Sequence, residues 1–558
     1  MADPQPPSRG TTPGLTAGVK RPFDEDHVPA VPSPLNPDPA ARPRPPKAPQ
    51  REQREKRDSL KKREAQASSR GSTPDIKVKK NKLPSAPAPL NYIVETENLK
   101  PQDFEAPKDP AFISHEPPLL TPDGQLELKR PLDHASNRKQ FRYYPCVADP
   151  LFRHKQYFRQ TDTKPFAPRL SFEDSDKWIH FDDSATVFTN ERGWRMSRAN
   201  VVAREGRYYY EVKIIRGVPS EGPPVPKGQE GNPQPHIRMG WARREAPLDA
   251  PPGFDGYSYG VKDIGFETMH KSRPGKLYHA APKGSKAPKT PAGKPQVEFV
   301  EEDHIREGDV IGMEIVLPSI SLHRKVVEGI YNPAVDVSDG FDDPIEGAHD
   351  IIRDRIAVPF KGNNWFEVNE YQTTKPMESY ADRGTFNSVT PSPNHNEVPL
   401  RSLPHSAIRV YRNGKLIGNA FEGLMSFLPP ASSPVPSSNP LVRAGLDDGM
   451  LGYFPAVAAF CGGIAQVNFG PNFWCPPPGL EDVDMGGSDG SMPEGRKLRP
   501  IGHRYKEQIA EDIVWDIIDD VGFYVANPGD DQNSSRTGAI QAPPAARGIA
   551  NLKEDDGF

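Results

Sequence analysis

Few residues in this chain are of types that do chemistry, and they do not converge. There is no G-x-x-x-x-G-K-[ST] to cradle phosphates, no H-E-x-x-H to hold zinc and no G-x-S-x-G to expose a nucleophile. The 14 histidines lack ligand spacing, and Cys146, Cys461 and Cys475 lie too far apart for a zinc knuckle. Carboxylates are plentiful but sit mainly in linkers and on one helix face, where solvated charge explains them. What stands out is a cation. In HIRMGWA, alternation puts Ile237, Met239 and Trp241 on one face of a strand and Arg238 on the other. On the residues alone such an arginine reads as a surface ion pair with a neighbouring acid, worth ~0–1 kcal/mol. The chemistry on offer is binding.

The elements that position it are short strands. In GRYYYEVKI, Tyr208, Tyr210, Val212 and Ile214 share one face, while Tyr209, Glu211 and Lys213 share the other. EGDVIGMEIVLP puts Ile311, Met313, Ile315 and Leu317 on one side. AIRVYRNGKLIGNAF reads as a hairpin, because Asn413-Gly414 supplies the positive φ angles of a two-residue turn. GYFPAVAAF and IAQVNFG add two strands, with Ala465, Val467 and Phe469 inward. Strands with tight turns and no helical period between them predict an all-β antiparallel sandwich over 170–475, broken by long loop inserts. The inserts run from Gly217 to Pro235, Ala280 to Gln296, Leu322 to His405 and Pro429 to Asp448.

The flanks have another texture. Of 558 residues 67 are proline and only 35% are hydrophobic, so much of the chain is expected to be unfolded or loop. Residues 1–128 read as a disordered, Pro-rich and basic region. KRPFD from Lys20, REQREKRDSLKKRE from Arg51 and KVKKNK from Lys77 are candidate nuclear-localisation patches, or solvated linkers. The net charge of −4 excludes a globally basic nucleic-acid binder. Residues 129–169 form a basic/aromatic arm in which Arg138, Lys139, Arg142, Arg153, Lys155 and Arg159 are candidate DNA contacts. Alternatively, the arm's rings fill the sandwich edge while its arginines point outward. The chain's opening residues lack the apolar core of a signal peptide, and no run approaches the ~18 apolar residues that span a bilayer. The cysteines are expected to be reduced thiols.

After an expected linker at 476–502, residues 503–527 carry the strongest helical period. Ile509, Ala510, Ile513, Val514, Ile517, Ile518 and Val521 cover one half of a helix, with Glu511, Asp512, Asp516 and Asp519 on the other. The apolar half either folds back onto the sandwich or docks between helices of a partner, and its width favours the partner. Residues 528–558 read as a disordered tail.

In this order, RGWRMSRAN, GRYYYEVKI, IRMGWA, EGDVIGMEI, VYRNGKLIG, GYFPAVAAF and VNFG resemble a SPRY domain. APLDAPPGFDGYSYG together with the terminal IVWDIIDDVGFYV resembles the ash-two/bre-two family, SPRY-domain subunits of the COMPASS (Set/MLL-type) histone H3 lysine-4 methyltransferase complexes. The resemblance covers roughly 170–525, in the fungal form without the zinc finger. It implies a non-catalytic nuclear scaffold that needs no cofactor or metal and has no membrane partner. The SPRY surface would grip an acidic segment of a WD-repeat subunit through Arg238, walled by Pro252 and Phe254, with Trp194 and Arg195 at its border. Lys262 stands where the family often has arginine, and lysine offers no bidentate fork. The terminal helix would dock into a Dpy/Sdc-type helical dimer through Ile509, Ile513, Val514, Ile517, Ile518 and Val521. The SET-domain methyltransferase, which the assembly stimulates, completes the implied partners; nucleosomal DNA is a candidate partner only through the residues of the 129–169 arm, for which the edge-filling alternative is favoured. The competing reading, a SPRY substrate adaptor for a ubiquitin ligase, lacks the RING, B-box or cullin-recruiting element it would need.

Overall fold

The structure, a computed structural model, describes residues 99–526 except 133–140, 150–157, 224–232, 280–297, 300–303, 344–350, 352, 354, 361, 383–388, 436–445 and 481–493. The basic patches expected to direct nuclear import and the 528–558 tail therefore lie outside the described residues, as does the whole Ala280–Gln296 insert.

In chain order the main elements begin with β1 (Phe141–Ala148), β2 (Leu170–Ser175), β3 (Val187–Asn190), β4 (Arg195–Ala199) and β5 (Gly206–Arg216). There follow β6 (His236–Ala242), β7 (Ser258–Lys262), β8 (Thr268–His270), β9 (Val310–Leu317) and the helix α1 (Ile320–Glu328). Next come β10 (Asn363–Asn369), α2 (Lys375–Ala381), β11 (Ala407–Arg412) and β12 (Lys415–Glu422). The chain closes with β13 (Phe454–Phe460), β14 (Gly463–Asn468), β15 (Leu498–Pro500) and α3 (Arg504–Ala526).

Two antiparallel sheets make the sandwich. One orders β8-β7-β6-β13-β4-β2, with Arg273–Gly275 on the β8 edge; the other centres on β12-β11-β9-β5-β14-β3. Their inner faces are the ones alternation predicts. Tyr208, Tyr210, Val212 and Ile214 meet Ile237, Met239 and Trp241, and Ile311, Met313, Ile315 and Leu317 join the same cluster with Ala465, Val467 and Phe469. A one-residue slip would turn each of these sets to the outside, so burial locks the register. The β11–β12 turn forms as expected, with φ of 51° at Asn413 and 78° at Gly414.

Three stretches differ from expectation. The region read as disordered through 128 is placed from residue 99: Phe112–Ile113 pairs with Arg130–Pro131, Leu119–Leu120 pairs with Glu127–Leu128, and Leu128 is fully buried. Two-residue strands escape a rule that expects prolines to break long ladders. The long insert after β9 is not plain surface loop; it supplies α1, β10 and α2. Its β10 pairs with β1 from Cys146↔Asn364 to Phe141↔Asn369, so arm and insert complete each other in a four-stranded sheet. The stretch expected to be linker up to 502 ends in β15, which pairs in parallel with β5 at Arg207–Tyr209. The helix therefore leaves directly from the sheet rather than from a flexible tether.

Candidate functional site

The first site lies on the outer face of the β6 sheet. Opposite its buried residues, β6 presents Arg238, which sits in register with Lys262 on β7 and Ala458 on β13. Its guanidinium carbon lies 4.8 Å from the Trp194 ring centroid, within cation–π range. Trp194 in turn packs on Phe460, with ring centroids 5.3 Å apart. The Arg238 guanidinium forms no ion pair or hydrogen bond with any described residue, and its Nε is buried without a partner. Burial pulls this group down to about 10, and the Asp263 carboxylate offsets only part of that effect. Asp263 is engaged elsewhere, accepting from the Ile237 amide at 3.1 Å and lying 3.0 Å from His236 Nδ1.

The other residues expected beside Arg238 fall into different states. Pro252 is buried, and its carbonyl oxygen lies 2.2 Å from where a Cβ on Gly260 would stand, so only glycine lets this wall close over β7. Phe254 is 52% exposed, leaving a ring open to a partner. Lys262 is drawn to Glu267 in an ion pair. Arg195 is paired with Asp176 at 3.2 Å and donates to the Trp194 carbonyl at 2.8 Å. Thus three cations line this end of the sheet, but Arg238 alone among them has no carboxylate partner. The insert packs up to the site: Met377 and Tyr380 of α2 belong to one apolar cluster with Met196, Ala456 and Ala458, against which Trp194 packs.

The second site is α3. Its polar face, not its apolar one, rests on the sandwich. Arg504 is buried and forms ion pairs with Glu507 at 2.8 Å and Glu511 at 2.7 Å. Gln508 accepts from the Val202 amide at 2.7 Å, and the Tyr505 hydroxyl donates to Asp162 at 2.9 Å. Arg353 reaches out of the insert to the Asp512 carboxylate at 2.6 Å and to the Asp512 carbonyl at 2.8 Å. Asp519 is also buried. The stripe of Ile509, Ile513, Val514, Ile517, Ile518 and Val521 faces outward, each residue between 37% and 55% exposed. A stripe of this kind normally seals a core, and here it is left open.

The candidate DNA contacts fare differently. Arg142 is not on an outer face: it is buried, paired with Asp174 and Glu370, and donates to the Arg244 carbonyl at 2.9 Å. Strand β1 needs a partner for its inward cation, and Asp174 on β2 supplies it, so the expectation that arginines point outward is corrected here. Arg159 pairs with Asp149 at 2.7 Å. Arg138, Lys139, Arg153 and Lys155 lie outside the described residues. Sequence reasoning also missed Arg353, because nothing in the insert's composition marks it as the clamp of a helix more than 150 residues away. Among the described residues no cluster of His, Cys, Asp or Glu is arranged to hold a metal ion.

No family model matches the chain. Among curated proteins, the COMPASS component cclA of Colletotrichum higginsianum is 43% identical, covering 99% of this chain and 97% of its own. The Set1 complex component ash2 of Schizosaccharomyces pombe is 32% identical over 81% of this chain and 55% of its own. The COMPASS component BRE2 of Saccharomyces cerevisiae is 28% identical over 71% and 89%. Among solved structures, a human SPRY domain aligns at 13% identity with 53% of this chain and 98% of its own, at a TM-score of 0.22. Being 43% identical to the cclA COMPASS component over 99% of its own length, the chain belongs to the ash-two/bre-two family of COMPASS components.

Proposed function

We propose that the chain is a non-catalytic, nuclear scaffold subunit of a histone H3 lysine-4 methyltransferase complex. In this reading it holds two partners at once and so stimulates a SET-domain enzyme that it does not resemble. Arg238, walled by Pro252 and Phe254 and stacked on Trp194, receives an acidic segment of the WD-repeat subunit. Desolvation favours that role: the free protein has already given up part of the guanidinium's hydration, so an arriving carboxylate replaces contacts the site lacks. Because Lys262 is already paired with Glu267, the grip falls on Arg238 rather than on two cations. The α3 stripe receives the helical dimer, laying its isoleucines and valines between two helices.

The outward stripe of α3 is the observation that carries this reading. Six half-exposed aliphatic side chains on one helix, each worth about 1 kcal/mol or more on burial, are the mark of a covered surface. The test is a pull-down from nuclear extract with the full chain and with the Ile513→Glu, Ile517→Glu double variant. The double variant should lose a small helical dimer while keeping the SET-domain and WD-repeat proteins. Retention of every partner by the double variant would reject the assignment.

A further inference from the structure

A second cation–aromatic cluster lies beside the Arg238 notch. Trp178, in the turn after β2, has three cations against its half-buried indole: Arg192 at 3.9 Å from the ring centroid, Lys177 at 5.2 Å and Arg130 at 5.3 Å. None of the three forms an ion pair with any described residue. Of the nearby carboxylates, Asp176 is paired with Arg195 at 3.2 Å, and Glu191 lies 3.0 Å from His115 Nε2, an ion pair only when that imidazole is protonated.

The cluster is built and held. Asn190, fully buried at the end of β3, donates through its side-chain amide to the carbonyls of Arg192 at 3.1 Å, Gly193 at 2.6 Å and Ala459 at 3.2 Å. The Cys461 amide donates to the Arg192 carbonyl at 2.8 Å. This one turn therefore lays Arg192 on Trp178 and, two residues later, sets Trp194 against Arg238. Across the sheet, β6 is followed by β13, β4 and β2. Arg192 and Trp194, which carry the two contacts, are two residues apart, at most about 7 Å of backbone, a distance that a short run of extended peptide spans.

We propose that Trp178, Arg130, Lys177 and Arg192 form a second acidic-peptide subsite, continuous with the Arg238 notch, so that one extended segment rich in Asp and Glu occupies both. The inference rests on the reading of Arg238 given above. Its chemistry is that of uncompensated, mutually repelling cations. A guanidinium lying on an indole keeps its planar N–H fork free for a carboxylate. That same stacking argues against nucleic acid, since a ring face taken by a cation cannot receive a base.

The test uses the full chain and fluorescence anisotropy. Three fluorescein-labelled probes are compared: an oligoglutamate long enough to span both clusters, one of half that length, and a single-stranded oligothymidylate matching the long peptide in charge. In the unsubstituted chain the long peptide should bind at least about tenfold tighter than the short one, as linked sites do. Arg192→Ala with Lys177→Ala should bring that ratio close to one, while Arg238→Ala weakens both peptides. If the length ratio survives the Arg192/Lys177 substitutions while Arg238→Ala still weakens binding, this inference is overturned and the notch reading stands. Should Arg238→Ala change neither peptide, the notch reading fails and the bridging claim falls with it. Tighter binding of the oligothymidylate, lost on the same paired substitution, would make the cluster a nucleic-acid surface and overturn the proposal. Far-UV circular dichroism of each variant separates these outcomes from unfolding.

Discussion

Arg238 and Arg142 show how one residue type serves opposite ends. Arg142 lies against Asp174 and Glu370, whereas Arg238 lacks a carboxylate and is pulled down by burial to about 10. A lowered arginine pKa means that the folded state disfavours the charge at every pH below that value, and the penalty lifts only as pH rises through about 10. Arg238→Gln should therefore leave the melting temperature unchanged or raise stability by on the order of 1 kcal/mol, solvent screening considered. The same change should weaken acidic-peptide binding; calorimetry and anisotropy on one sample read both. A lower melting temperature in Arg238→Gln would instead mark the arginine as structural. Asp174 behaves in the reverse sense. Burial alone would raise its carboxyl, but Arg142 and Arg198 outweigh burial and hold it well below the usual carboxylate range. Its stabilisation is thus present above the unfolded value of about 3.9 and is lost as pH falls below it. Asp174→Asn leaves the buried Arg198 guanidinium without its anion and Arg142 with Glu370 alone, and should cost about 3–5 kcal/mol, read as a shift in the urea midpoint at neutral pH. Alternation in HIRMGWA was enough to place Arg238 on the outer face. It could not reveal that Arg142 is internal, because its partners come from Asp174 and Glu370, far along the chain.

The helix α3 was legible as a helix and as amphipathic, and the width of its stripe favoured a partner over the sandwich; what anchors its polar face was not legible. The ordinary expectation packs the apolar half, yet here Arg504, Gln508, Asp512 and Asp519 face the protein while Ile513 and Ile517 face outward. The reason lies in Arg353, a buried cation on the insert that needs Asp512 as much as Asp512 needs it. Arg353→Ala should loosen the middle of the helix at a cost of about 1–3 kcal/mol. Hydrogen exchange would register this as faster amide exchange over 509–521, with β5 unchanged; uniform protection would mean that the clamp contributes nothing. The pairing of β1 with β10 was equally hidden. Each strand is a modest aromatic run on its own, and only the fold brings a segment near 145 to one near 365.

At the scale of the molecule, the sandwich was legible because its inner faces repeat every two residues with few exceptions, from Tyr208 to Phe469. The flanks were harder to read, since prolines and charges report what cannot form a long element but not which short pieces dock. Leu128, buried against Val187 and Ile464, is one such piece. The notch and the helix occupy separate surfaces, so their ligands are expected to bind independently. The Ile513→Glu, Ile517→Glu double variant should leave oligoglutamate affinity within about twofold, near the additivity expected of distant sites. Coupling much beyond that would show that the two surfaces communicate.

Strand β15 gives this arrangement its geometry. Because Leu498–Pro500 is hydrogen-bonded alongside β5 and α3 begins only four residues later at Arg504, there is no slack in the joint. The azimuth of the oily stripe is thus fixed by chain length, much as a key's teeth are fixed by its shank. Two residues added between Pro500 and Arg504 would swing the stripe by about 200° at ~100° per residue, turning isoleucine toward the body and aspartate toward the visitor. The spacing at that hinge point is therefore as much a determinant of who can dock as any side chain on the helix.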